Sequence, residues 1–307
     1  MSAAWDGLLL VDKPSGPTSH DVVDRIRELT GQRRIGHAGT LDPLATGLLP
    51  LVLGRATRLV RFMPHSPKFY QGLLRLGVVT RSDDCTGEIV ARHEGPLPEA
   101  DEVVRAAAVR LGRQLQSPPA VSARKVGGER MYRLARRGVV ALAEPRLVEV
   151  TRFDVAPCVG STREFRFEAE VSAGTYLRSL VRDLGASLGC GATLVSLRRT
   201  AIGSMRPSIE LRFDSDPPPV GELRRALIPV ERIPLVPPPV RLSSSEDADR
   251  FRSGVALAGE RGDPWPEGCC RVLGPSGELL GVAEVAAGRL HPRVVLAATR
   301  GAGLPGG

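Results

Sequence analysis

Cysteine is scarce and odd in number: Cys85, Cys158, Cys190, Cys269 and Cys270 show no C-x-x-C spacing. A disulfide framework needs a paired set and an oxidising compartment, so none is expected. The five histidines are scattered, which leaves no zinc-ligand cluster and no expectation of a metal or other cofactor. No apolar run approaches the roughly 20 residues a membrane helix requires. The opening MSAAWDGLLLVDKPSG has no basic segment ahead of its short apolar stretch, so it does not read as a secretory signal. A cytoplasmic protein without membrane contact is the expectation. Aromatic residues are only 4% of the chain, so each one in an unusual context stands out.

Lysine is almost missing as well: of 42 basic residues, all but Lys13, Lys68 and Lys125 are arginine. Abundant Ala, Gly, Pro and Val suggest that codon usage accounts for most of that skew. The surplus of positive charge is a separate matter. A net charge of +8 against 34 acids, with a pI near 9.8, points to an anionic partner.

At 307 residues the chain is long enough for one large core and a second small one. Gly7 to Val11 reads as a buried strand, followed by the turn Lys13-Pro14-Ser15-Gly16-Pro17. Thr18 or Ser19 is placed to cap a helix bearing Val22, Val23, Ile26 and Leu29 on one face. Ser19-His20-Asp21 is not a catalytic triad, because adjacent helical residues point in different directions. Phe69 to Val79 suggests a strand, and residues 99–115 suggest a helix with Val103, Ala107 and Leu111 on one side. Phe165, Phe167, Ala169 and Val171 alternate as in a strand, and after Ser172-Ala173-Gly174-Thr175 a helix begins with Leu177, Leu180, Val181 and Leu184 as its stripe. Strands and helices mix without βαβ regularity, which implies an α+β fold with a mainly antiparallel sheet. Proline clusters between 215 and 240 place a domain boundary near residue 236, giving domains 1–235 and 236–300. Short strands at Arg271 to Leu273, Leu279 to Val285 and Arg293 to Leu296 would form the second, β-rich unit, and the glycine-rich residues 301–307 a disordered tail.

The segment from Arg34 to Pro50 is the most informative stretch, and on its pattern alone Asp42 reads either as a reactive acid or as an Asp that caps the turn before Pro43. Glycines at 36, 39 and 47 with Pro43 make it a shaped loop, and within it Asp42 is flanked by Leu41, Pro43 and Leu44. An acid in apolar surroundings loses solvation and needs a nearby cation to stay ionised.

The run Gly36-His37-Ala38-Gly39-Thr40-Leu41-Asp42-Pro43-Leu44-Ala45-Thr46-Gly47 resembles the signature of the TruB family of tRNA pseudouridine synthases. Asp12 to Ser19, Lys68-Phe69-Tyr70, Thr80 to Gly87, Gln116-Ser117-Pro118-Pro119, Ser122-Ala123, Lys125, Gly128, Tyr132, Ala135-Arg136, Gly138, Gly174 to Arg178 and Leu197-Arg198-Arg199 are similar to that family in the same order. Two departures are visible: Arg81 stands second in the Thr80-to-Asp84 motif, and Val121 stands where the family often has Tyr.

The resemblance implies isomerisation of uridine to pseudouridine at position 55 in the T-loop of tRNA, with no cofactor. It implies that Asp42 is the essential carboxylate, that Arg178 pairs with it and that Asp84 ties Arg178 from the other side. Tyr70 would stack on the target base, while Tyr176 and Leu197 would close the uracil pocket. His37 would wedge into the gap left when the base is extruded. Lys13, Arg136, Arg198, Arg199 and the pair Arg33-Arg34 would meet phosphates. The C-terminal unit resembles the PUA-like RNA-binding domains of this family. The implied partner is the T-arm stem-loop of tRNA, engaged by a monomer that requires no protein partner. The alternatives are a tRNA-folding or RNA-binding protein without catalysis, and a guide-dependent relative working inside an RNA–protein complex.

Overall fold

The computed structural model describes residues 5–119, 125–126, 129–130, 144–208, 211–213, 218–259 and 265–296. The mainly apolar run Gly7–Lys13 forms strand β1, and Thr18 caps the following helix α1 (Ser19–Thr30) through a capping box with Asp21. Next come β2 (Ile35–His37), β3 (Thr46–Leu53), a 3-10 helix (Gly54–Phe62) and β4 (Lys68–Leu76). A small hairpin of β5 (Val78–Thr80) and β6 (Ile89–Arg92) precedes α2 (Ala100–Ala108) and β7 (Gly112–Gln116). Beyond the two-residue strands β8 (Lys125–Val126) and β9 (Glu129–Arg130) lie β10 (Arg146–Pro157) and β11 (Glu164–Val171). Helix α3 (Leu177–Ser187) leads to β12 (Ala192–Ile202), then α4 (Val220–Ala226) and β13 (Ile228–Pro229).

Apart from the separate pairs β5-β6 and β8-β9, these strands make one large sheet in the order β13-β1-β3-β12-β4-β11-β10-β7, with β2 beside β3. Within it, among the described residues, β3 and β12 run parallel and the other pairs antiparallel, in an α+β arrangement. Helices α1, α2 and α3 bury Val22, Val23, Ile26, Val103, Ala107, Leu180 and Leu184 on one face of it. Strand β3, with seven of its eight residues buried, has both faces covered, as its unbroken apolar sequence requires. In β10, burial alternates instead, so its outer face meets water.

Two expected elements come out differently. The helix read over 99–115 stops at Ala108, and Gly112, at φ +89, turns the chain into β7. Leu111 is exposed rather than part of a helical stripe. The strand read over Phe69 to Val79 is broken at Gly77, also left-handed, into β4 and β5.

A second sheet follows, ordered β14 (Pro239–Arg241), β16 (Gly268–Leu273), β17 (Leu279–Ala286), β18 (Arg289–Val295) and β15 (Leu257–Ala258), with α5 (Ser245–Arg252) packed against it. It has its own core around Phe251, Val272 and Leu290. A third apolar cluster joins the two sheets, combining Leu8, Leu48, Val52 and Leu59 with Leu279, Val282 and Val294. Among the described residues no helix is long and apolar enough to cross a membrane. Residues 301–307 lie outside the described residues.

Candidate active site

Asp42 sits in the loop between β2 and β3, and several contacts shape that loop. Ser19 of α1 accepts the Leu41 N–H at 2.8 Å and donates to the Leu41 carbonyl at 3.0 Å. The guanidinium of Arg199, with no exposed surface, donates to the carbonyls of Gly39, Thr40 and Leu48. The equally buried Lys13 ammonium donates to the carbonyls of Pro14, Pro17 and Pro43. Burial pushes the Lys13 pKa down to about 8, with the Asp42 charge pulling the other way. Gly47 closes the loop at φ +94, where any Cβ would collide with the Arg199 carbonyl.

Arg178 enters from the first turn of α3. Its Nε donates to Asp42 Oδ2 at 2.9 Å and its Nη1 to the Ser82 carbonyl at 2.8 Å, while Asp84 Oδ2 lies 3.7 Å from Nε. Asp84 is itself held: its Oδ1 accepts from Ser82 Oγ, Thr86 N–H and Thr86 Oγ1. The pair is asymmetric in exposure. The Arg178 side chain is 5% exposed and that of Asp42 38%, so the cation lies behind the acid and the acid faces outward. One helical turn further on, Arg182 binds Asp83 at 3.0 Å. Asp83 adopts a left-handed φ of 62°, and burial pushes its carboxyl upward while Arg182 opposes the shift.

Tyr70 lies on β4, buried, directly across from Arg199 of β12. Leu197, on the same face of β12, is also buried, and its carbonyl accepts from Thr46 Oγ1. Both side chains share a core cluster with Leu41, Ala45 and Leu177, which ties them to the Asp42 loop and the start of α3. Tyr176 is the half-buried residue before α3. His37 is the last residue of β2, half-buried and registered against Leu51, and so is part of the sheet rather than a free loop.

The phosphate-contact assignments need correction. Lys13 and Arg199 have no exposed surface and spend their donors on backbone carbonyls, so neither can meet an external phosphate. Arg198 is half-exposed, but its guanidinium forks onto both oxygens of Asp12 at 2.9 and 2.6 Å. Arg136 lies outside the described residues. A groove of about 420 Å3, lined by Arg75, Arg92, His93 and Arg163 among others, lies elsewhere. Arg75 is five positions along β4 from Tyr70, about 16 Å at strand rise.

The sequence reading gave Gln116, Ser19 and Asp83 no role at the site. Gln116 clamps the backbone of Tyr176 from the end of β7. Their only signals in the sequence were motif membership for all three and, for Ser19, its place at a helix start.

Three family models cover the chain in succession. The TruB family pseudouridylate synthase N-terminal domain matches residues 27–177, the tRNA pseudouridylate synthase B C-terminal domain 178–233, and the pseudouridine synthase II TruB C-terminal model 238–296. A tRNA pseudouridine synthase B of Synechococcus sp. is 40% identical over 306 residues, covering 95% of this chain and 99% of the relative. One from Thermobifida fusca is 39% identical over 305 residues, with coverages of 95% and 99%. Among solved structures, a chain from a Cbf5-Nop10-Gar1 complex is 27% identical with a TM-score of 0.64, covering 92% of this chain and 78% of its own length. A chain from an H/ACA RNP bound to a substrate RNA containing 2'-deoxyuridine shares the fold at 24% identity and a TM-score of 0.66, with coverages of 95% and 85%.

Proposed function

This chain belongs to the TruB family of pseudouridylate synthases, and from that premise we propose that it isomerises uridine to pseudouridine in the T-loop of tRNA, with Asp42 as the acting carboxylate. The reaction breaks the N1–C1′ bond, turns the uracil and joins C5 to C1′. A carboxylate beside the ribose serves as nucleophile at C1′ or as base at C2′, and either route needs it ionised and unobstructed. The observation that carries this reading is the asymmetric pair: Arg178, 5% exposed, holds Asp42 from behind and leaves its front open. The guanidinium is itself anchored by the Ser82 carbonyl and the Asp84 carboxylate, so it presents a fixed charge rather than a mobile one.

On this reading the buried Tyr70 supplies a ring for stacking on the extruded base, with the buried Leu197 and the half-buried Tyr176 closing around the uracil. His37, at the end of β2, fills the space the base leaves in its loop. The second sheet serves as an RNA-binding module. The enzyme works as a single chain without a guide: its relatives of matching length carry the name of a tRNA enzyme at 40% identity, against 27% for the neighbour solved in a protein complex.

The test is mass-spectrometric mapping of pseudouridine in unmodified tRNA incubated with the purified chain and no guide RNA. One T-loop uridine is expected to convert, and no conversion by the wild-type chain would overturn the reading. Asp42→Asn, which keeps the shape and loses the charge, is expected to give no product while binding tRNA within about threefold of wild type. Product from that variant would remove the carboxylate's role.

A further inference from the structure

We infer that Gln116 is a positioning residue for the reaction: its carboxamide, reaching across from the end of β7, fixes the Tyr176 backbone and with it the Tyr176 ring and the Arg178 guanidinium. This rests on the pseudouridine synthase reading and goes further into the same site. Helix α3 has no side-chain cap of its own; its N-cap residue is Tyr176, in extended conformation. Gln116, from another strand, instead holds the N-cap residue itself. Its Oε1 accepts the Tyr176 N–H at 2.8 Å, and its Nε2 donates to the Tyr176 carbonyl at 3.1 Å.

Two opposed hydrogen bonds on one residue fix its rotation as well as its position. At 3% exposed, Gln116 makes them away from competing water. Arg178 follows Tyr176 by two residues, so the same clamp sets where the helix delivers the cation to Asp42. The place asks for a side chain that both accepts and donates, as a carboxamide does. An ionised carboxylate accepts but cannot donate, and an aliphatic chain does neither. The adjoining Ser117 carbonyl takes Ser179 Oγ at 2.9 Å and Arg182 Nη2 at 3.1 Å, so the same stretch also touches α3 at a point that does not hold Tyr176. That second contact provides a control.

The experiment compares Gln116→Leu, Gln116→Glu and Ser179→Ala with wild type on unmodified tRNA, measuring kcat, KM and Tm. Gln116→Leu is expected to lower kcat by about tenfold or more, the equivalent of one or two misplaced hydrogen bonds, with KM within about twofold. Ser179→Ala, which loosens the same strand–helix contact, is expected to keep kcat near wild type. Gln116→Glu adds a signature that a purely structural role would not produce. A buried carboxyl is pushed toward its neutral form, which can donate to the Tyr176 carbonyl again. Its kcat relative to wild type is therefore expected to climb as pH falls from about 8 to 6. If Gln116→Leu does not fold, this pH ratio decides alone. A flat ratio, an unchanged kcat, a change confined to KM, or an equal loss in Ser179→Ala would each overturn the inference. Wild-type turnover separates the failures: without it the functional reading falls, and with it only the role of Gln116 falls.

Discussion

Arg178 shows how much one side chain is asked to do. It is nearly buried, contacts two carboxylates and a carbonyl, and reaches Asp42 across 136 positions of sequence. Removing it leaves Asp84 buried without its cation and frees Asp42 to turn, and breaking such a pair costs about 3–5 kcal/mol. Arg178→Ala is expected to lower kcat by about a hundredfold or more and to leave tRNA affinity within a few-fold, read by single-turnover kinetics beside a binding titration. Near-normal rates would show that Asp42 does not depend on the pair. His37 answers to a different test. His37→Ala is expected to slow turnover on intact tRNA, where the base must leave its stack, and to recover on a short stem-loop whose uridine is already exposed. Equal losses on both substrates would move His37 from extrusion to folding. The pairing of Asp42 with Arg178 was legible because motifs mark both residues. Lys13 and Arg199 were misread for a physical reason: a basic residue in a polar motif looks the same whether it faces phosphates or the carbonyls of a loop 30 or 160 positions away.

At the scale of elements, the Asp42 loop is a designed support made by its neighbours: β1 gives Lys13, α1 gives Ser19 and β12 gives Arg199. Strand and helix identities were legible wherever an apolar pattern ran uninterrupted, as in β1, β11 and α3. They were not where a single glycine overrode the pattern, since Gly112 converts the end of an apparent helix into an edge strand. The buried lysine of this support also sets a pH dependence. Burial holds Lys13 near 8 in the folded chain, against about 10.4 when unfolded. Between those values the unfolded chain binds more protons, so this residue makes stability rise with pH there and carries a cost below it. Comparing wild type with Lys13→Met by denaturant unfolding at about pH 7.5, 9 and 10 is expected to show the difference moving steadily in favour of wild type. A constant difference would place the titration elsewhere.

For the molecule as a whole, the two sheets share apolar surface. Leu8, Leu48 and Val52 on the back of the large sheet belong to one cluster with Leu279, Val282 and Val294 of the small one. The Arg58 guanidinium also donates to the Val295 carbonyl, and the Val236 N–H to the Phe62 carbonyl. The sequence could not reveal this shared core, because the alternating strands of each sheet look complete by themselves. Burying a Val or Leu contributes about 1.5–3 kcal/mol, so even a few such side chains across the boundary match the stability of an ordinary domain. The two units are therefore expected to unfold together. The chain's two tryptophans allow a direct test, since Trp5 lies in the core of the large sheet and Trp265 packs against that of the small one. With Trp265→Phe and Trp5→Phe as single-tryptophan reporters, thermal unfolding followed by fluorescence should give one midpoint within about 2 °C, once each variant's own calorimetric Tm is subtracted. Two separate midpoints would mean that the shared cluster does not couple the sheets.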